Sequence, residues 1–136
     1  MLGTAVLMAS LARGQSGSVA PNGDKSVYAE LQKAPAKAAA RQNPLESDPD
    51  AVAGGAKLFE RHCAECHGTS ADGGKKGPSL RAEEVQHSSP GTLFWVLSNG
   101  VVRKGMPVWS RLPEPQRWQL VSYIKSLGGS TKPVNQ

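Results

Sequence analysis

Two cysteines and a histidine fall within the five residues Cys63-Ala64-Glu65-Cys66-His67. On a helical turn, side chains at i and i+3 share a face, so both thiols can meet one edge of a flat macrocycle. Each thiol can add across a vinyl group to give a thioether, and the imidazole next in line can offer a nitrogen to a central iron. That is the chemistry by which a c-type haem is attached. Three uncommon residue types in a fixed order carry far more information than a bare C-x-x-C pair. Two other chemistries use part of the same motif. A closed zinc site needs four ligands, and without a second cysteine pair it has to recruit from His62, His67 and His87. A dithiol redox pair needs a βαβ setting, whereas the flanks here read as helical.

The elements that have to position these groups follow from local signals. Asp48-Pro49-Asp50 opens a helix: Asp48 caps, Pro49 suits the first helical position and Asp50 complements the positive end of the dipole. The helix is expected to run to about His62, with Gly55 and Phe59 on one face as a notch and an aromatic that receive another helix. After His67 comes a glycine-rich loop ending in Gly77-Pro78-Ser79-Leu80. A proline carbonyl there can accept the Nδ1 hydrogen of His67, which leaves Nε2 for iron. Ser89-Pro90 begins a second helix and Asn99-Gly100 ends it. Between them Leu93, Phe94, Trp95, Val96 and Leu97 are apolar almost all round, as a helix buried against a large flat surface requires.

The loop that follows holds Gly105-Met106-Pro107. Met1 and Met8 lie in the first few residues, so Met106 is the one methionine left to the folded part. A thioether is a soft neutral ligand, and opposite an imidazole it favours ferrous iron; Met106 is therefore the candidate sixth ligand, with His62 and His87 as competitors. Arg103 and Lys104 are candidate partners for haem propionates, and Trp95 or Trp109 can donate an indole N–H to one. The last helix is expected from about Glu114 to Leu127, with Trp118, Leu120, Val121, Tyr123, Ile124 and Leu127 at helical spacing.

Length and composition fit one small domain with long ends. The chain has 136 residues, of which 38% are hydrophobic and 5% aromatic, a thin supply for a core, and a covalently held haem would complete it. Leu2 to Ala12 is an uncharged apolar run ending in small residues, like the h-region and cleavage site of a secretory signal, although the basic n-region is missing. It is too short to span a bilayer, which needs roughly 20 apolar residues, and no transmembrane segment is expected. Export also suits haem attachment, so a periplasmic location is expected. Residues 13–47 read as a flexible linker or arm, rich in Ala, Pro, Gly, Ser, Lys and Gln, and 130–136 as a tail. The net charge of +5 falls on the presumed haem domain, which suits an acidic docking surface on a redox partner. It is not clustered with aromatics, so nucleic acid is not an expected partner. Nothing in the sequence sets an oligomeric state.

With Cys63-x-x-Cys66-His67, Gly77-Pro78-Ser79-Leu80, Gly105-Met106-Pro107 and a closing aromatic-rich helix in this order, residues 48–129 resemble a class I cytochrome c domain. The resemblance implies an all-α fold, roughly three to four helices around one haem c, with an extended N-terminal arm. It implies thioethers at Cys63 and Cys66, axial ligation by His67 and Met106, and the Pro78 carbonyl behind His67. Leu80, Trp95, Arg103 and Trp109 complete the expected cofactor pocket, and Gly55, Phe59, Leu120 and Tyr123 the crossing of the first and last helices. Lys75-Lys76 departs from the more apolar sequence of many relatives near the haem edge. The function expected is one-electron transfer between a dehydrogenase or respiratory complex and an acceptor, with no catalysis by the chain itself. The alternatives are a haem enzyme or gas sensor with an open sixth site, and an electron-transfer subunit fixed in a larger redox complex.

Overall fold

The computed structural model describes residues 25–128; the signal-like run 1–12, the linker up to residue 24 and the tail 130–136 lie outside the described residues. In chain order, a 3-10 segment Lys25–Lys33 leads into α1 (Ala36–Ala39), α2 (Pro49–His62), α3 (Ala64–His67), α4 (Glu83–Gln86), α5 (Pro90–Asn99), a 3-10 turn Val102–Lys104 and α6 (Glu114–Ser126). The fold is all-α. Among the described residues the extended pairing is confined to an isolated antiparallel bridge between Val101 and Met106.

The helix boundaries have identifiable causes. The Asp48 carboxylate accepts from Asp50 N at 2.9 Å, satisfying one of the orphan donors at the start of α2. Ser89 does the same for α5, accepting from Thr92 N at 3.1 Å, with Pro90 preset for the first turn. At the other end of α5, Gly100 takes a φ of 66° that ends the helix.

The core forms where α2 crosses α6. A β-carbon on Gly55 would fall on the Gln119 carbonyl, so the two backbones approach as only glycine allows. One turn on, the rings of Phe59 and Tyr123 lie 5.1 Å apart. Phe59, Trp118, Leu120 and Val121 are at most 1% exposed, and each such burial contributes about 1.5–3 kcal/mol relative to exposure. Phe94 of α5 stacks on Trp118 with centroids 4.0 Å apart, which fixes α5 to α6.

Residues 25–47 differ from the flexible linker that their composition suggests. They lie against the helices, held by polar contacts to which a hydrophobic pattern is blind. Asn43 is buried: its Nδ2 donates to Ser122 Oγ at 2.8 Å and to Trp118 O at 3.4 Å, and its Oδ1 accepts from Leu45 N at 2.9 Å. Ser89 Oγ donates to Ala39 O at 2.7 Å. The Arg41 guanidinium lies 4.6 Å above the Phe94 ring and donates to Glu114 Oε1 at 2.6 Å. Buried Asn43 is stable because its polar atoms are partnered, and with half-buried Ser89 and the exposed Arg41–Glu114 pair it seats the arm on α5 and α6.

Candidate functional site

α2 ends where Cys63 leaves helical geometry, and α3 restarts at Ala64. The break buries Cys63 and leaves Cys66 half-buried one turn later, so both sulfurs sit at the end of the long helix that the core holds most firmly. His67 closes α3, and its Nδ1 lies 2.8 Å from Pro78 O. A carbonyl oxygen only accepts, so Nδ1 carries a proton in this contact, the tautomer that in the neutral ring leaves the Nε2 lone pair for a ligand bond. The loop that supplies this carbonyl is itself fixed. Tyr28 Oη donates to Ser79 O at 2.9 Å, Gln86 Nε2 donates to Leu80 O at 2.7 Å, and Leu80 N donates to Ala71 O at 2.9 Å.

Cys63, Cys66, His67, Pro78 and Leu80 line one cavity of about 890 Å³, and Met106 and Trp109 line the same cavity from the loop after α5. That volume lies within the roughly 300–1,000 Å³ of pockets for cofactors and other small molecules. Met106 reaches it from a closed loop: Val101 N donates to Met106 O at 3.0 Å and Met106 N to Val101 O at 3.2 Å, with Gly105 at φ 92° making the turn. Trp109 N donates to Leu97 O at 3.0 Å, fastening the far end of the loop to α5. Leu93, Val96 and Leu97 supply apolar wall from α5, and Ile124 from α6.

Two expected pocket residues lie elsewhere. Trp95 does not line the cavity: Leu93, Val96 and Leu97, at i, i+3 and i+4, take the cavity face, and Trp95 falls to the side of it. Arg103 is exposed on the 3-10 turn, and its neighbour Lys104 takes the cavity side, donating from Nζ to Ser26 O at 3.1 Å. Of the competing histidines, His62 lines the cavity with its ring 5.3 Å from Trp109, while His87 is exposed beside a separate cleft. Sequence reasoning missed Val27, Tyr28 and Leu31, which line the cavity from the arm. The available signal was Tyr28 and Leu31 three residues apart in an otherwise polar stretch.

The site discriminates between the chemistries open to the motif. Among the described residues no group of three or more His, Cys, Asp and Glu side chains comes together as a metal cage, so a zinc half-site lacks its second half there. Burial, with the neighbouring Cys66 adding, pushes the Cys63 thiol up to about 11, whereas a redox dithiol needs a lowered value. A haem fits the residues present. The cavity is largely apolar, two thiols stand at its wall, and the His67 imidazole and the Met106 thioether line it as well, a pair of ligand types that iron porphyrins take.

The all-α fold, the helix crossing and this motif define a class I cytochrome c domain. The chain belongs to the family described as cytochrome c oxidase, cbb3-type, subunit III, whose sequence model matches residues 50–124, and membership implies a covalently bound haem c. It is similar to the cbb3-type cytochrome c oxidase subunit CcoP of Rubrivivax gelatinosus, 31% identical over 106 residues, covering 76% of this chain and 33% of that protein. It is also similar to CcoP of Azospirillum sp. (strain B510), 34% identical over 64% of this chain and 32% of that protein. A third relative is the cbb3-type oxidase subunit FixP of Bradyrhizobium sp. (strain ORS 278), 35% identical over 63% and 30%. The chain thus matches about a third of the length of these curated relatives.

These relatives correct the expected partner. The expected partner, a separate redox protein with an acidic docking face, does not describe them: they are subunits of an oxidase complex, and their partners are its other subunits. Among the described residues no helix is long and apolar enough to cross a membrane.

Proposed function

We propose that this chain is a one-haem electron-transfer module of a cbb3-type oxidase, working on the exported side of the membrane. In this reading Cys63 and Cys66 would hold the haem by thioethers, and His67 Nε2 and Met106 Sδ would ligate its iron. The observation that carries it is the 2.8 Å contact between His67 Nδ1 and Pro78 O, which leaves Nε2 free to ligate inside a cavity that Met106 also lines. When bound, the haem supplies reversible one-electron chemistry at iron. The chain's own part is to orient and exclude. Pro78 holds the imidazole in one tautomer and one plane, the Val101–Met106 bridge presents the thioether, and the α5 wall keeps water from the macrocycle. With an imidazole and a thioether of the chain both given to the haem, its iron would keep no site for a substrate, and the chemistry it would supply is outer-sphere electron exchange.

The test is optical. The haem-loaded full chain should have the reduced spectrum of a six-coordinate low-spin haem, and its ferrous form should bind carbon monoxide slowly, at a rate set by departure of Met106. Rapid binding by the native ferrous form would replace this reading with an open sixth site, as in a haem enzyme or gas sensor.

A further inference from the structure

The 3-10 segment Lys25–Lys33 reaches both loops that carry the proposed axial ligands. Tyr28 Oη donates to Ser79 O at 2.9 Å, one peptide beyond the Pro78 carbonyl that faces His67 Nδ1. Two residues earlier, Ser26 O accepts from Lys104 Nζ at 3.1 Å. Lys104 belongs to the turn whose ends, Val101 and Met106, exchange two backbone hydrogen bonds, so a restraint on Lys104 is a restraint on the Met106 loop. From this segment Val27, Tyr28 and Leu31 line the cavity, and Tyr28 and Leu31 pack on the core. A phenol is protonated at neutral pH, so the Tyr28 hydroxyl is a donor there, and burial, with Glu84 adding, holds it further above its usual range.

We propose that Lys25–Lys33 is a strap that couples the His67 loop to the Met106 loop, with Tyr28 and Lys104 as its positioning residues. The proposal deepens the axial-ligand reading above and rests on it. A 3-10 helix rises about 2.0 Å per residue, so Ser26 and Tyr28 stand about 4 Å apart along one stiff turn, and neither anchor lets go without loosening the segment that holds the other. A shared anchor means that opening one loop lowers the cost of opening the other, and the coupling is reciprocal. The arm thereby does more than cover the cavity. It makes the thioether side sensitive to the imidazole side although the two loops lie far apart in sequence.

The experiment uses the haem-loaded full chain with Tyr28→Phe and Lys104→Gln, each removing one anchor at a partly or fully exposed position outside the core cluster. Amide hydrogen exchange is read at Val101 and Met106 for one loop and at Leu80 for the other. A strap requires crossed effects. Tyr28→Phe should accelerate exchange at Val101 and Met106, which Tyr28 does not touch in the hydrogen-bond network, and Lys104→Gln should accelerate it at Leu80. Each effect should approach the roughly five-fold change expected from losing one hydrogen bond of ordinary net strength. On titration into acid, both variants should also lose the sulfur–iron absorption band at a higher pH than the native protein. If each substitution changes only the loop it contacts, or neither changes either loop, the strap is refuted. Met106 ligation is read separately, from whether the native protein has the sulfur–iron band at all. Its failure is thereby distinguished from failure of the coupling, which the exchange data report without reference to the ligand.

Discussion

The two sides of the cavity are built on different principles. His67 stands on α3, directly after the long α2 that the core clamps through Gly55 and Phe59. Two candidate covalent anchors precede it within four residues, and a carbonyl is set against its Nδ1. Met106 hangs on a loop that closes on itself through two hydrogen bonds and a left-handed glycine. One ligand is positioned by a helix and its packing, the other by a turn. A turn that continues directly from a core-clamped helix opens only with much of the domain, whereas a loop held by few contacts opens locally at far lower cost. The imidazole side is therefore the permanent half of the site and the thioether side the half that can yield.

Substituting the two ligands tests this difference most severely. His67→Ala should prevent accumulation of the haem-loaded protein, because attachment of the macrocycle and ligation of the iron are both served by one rigid turn. Met106→Ala should still give covalent pigment, seen as haem staining under denaturing conditions, and a folded chain. That variant should have a lower reduction potential, since an axial Met raises it, and should bind carbon monoxide rapidly when reduced. Equal loss of pigment in the two variants would erase the distinction between permanent and yielding halves.

The same contrast decides what could be read in advance. Asp48-Pro49 and Ser89-Pro90 announce their helices because cap chemistry is local, and α2 and α5 begin where these signals put them. The proximity of His67 to Pro78 follows from residue types at close spacing in one loop. The arm did not declare itself, since its attachment depends on Asn43, Arg41 and Tyr28, residues whose partners Ser122, Glu114 and Ser79 lie far along the chain. Composition describes what a segment can bury unaided, and here the polar side chains find acceptors that only the folded helices provide. Trp95 fails for another reason. A run that is apolar almost all round carries no periodicity to say which side faces the cavity, so its direction is settled by how Phe94 stacks on Trp118.

Two glycines sharpen the contrast at smaller amplitude. A β-carbon on Gly77 would lie 3.1 Å from both Cε1 and Nδ1 of His67 and 3.1 Å from Cys66 O, so Gly77→Ala should destabilise by about 1–3 kcal/mol through overpacking. Gly105 has nothing within 4 Å of that position but a φ of 92°, and Gly105→Ala should cost about 1–2 kcal/mol for backbone strain alone. Asparagine separates the two causes. It tolerates the left-handed region, so Gly105→Asn should recover part of the loss in a thermal melt, whereas Gly77→Asn, with more bulk against the imidazole, should be worse than alanine. Recovery at both positions, or at neither, would mean that the two loops are limited by the same physics.

The smallest expected effect concerns pH, and it too should fall on the thioether side. The hydrogen bond from Arg41, with a second from Trp118, holds the Glu114 carboxyl below its ordinary value of 4.5. A carboxylate with a depressed folded value contributes stability that is fully present above its unfolded value and is lost as pH falls through the folded one. Acidification below about 4.5 should therefore release Arg41, whose guanidinium lies over Phe94 of α5. α5 carries Leu97, the acceptor for Trp109 N at the end of the Met106 loop, while nothing in the His67–Pro78 contact depends on Arg41. On titration into acid, the sulfur–iron band should weaken before the imidazole-ligated spectrum changes. Glu114→Gln should flatten that first step and leave the second in place, because an amide cannot titrate and the His67 side never relied on this carboxylate. If the two spectral changes stay simultaneous in the native protein and the variant alike, the Glu114 clasp does not act selectively on the thioether side.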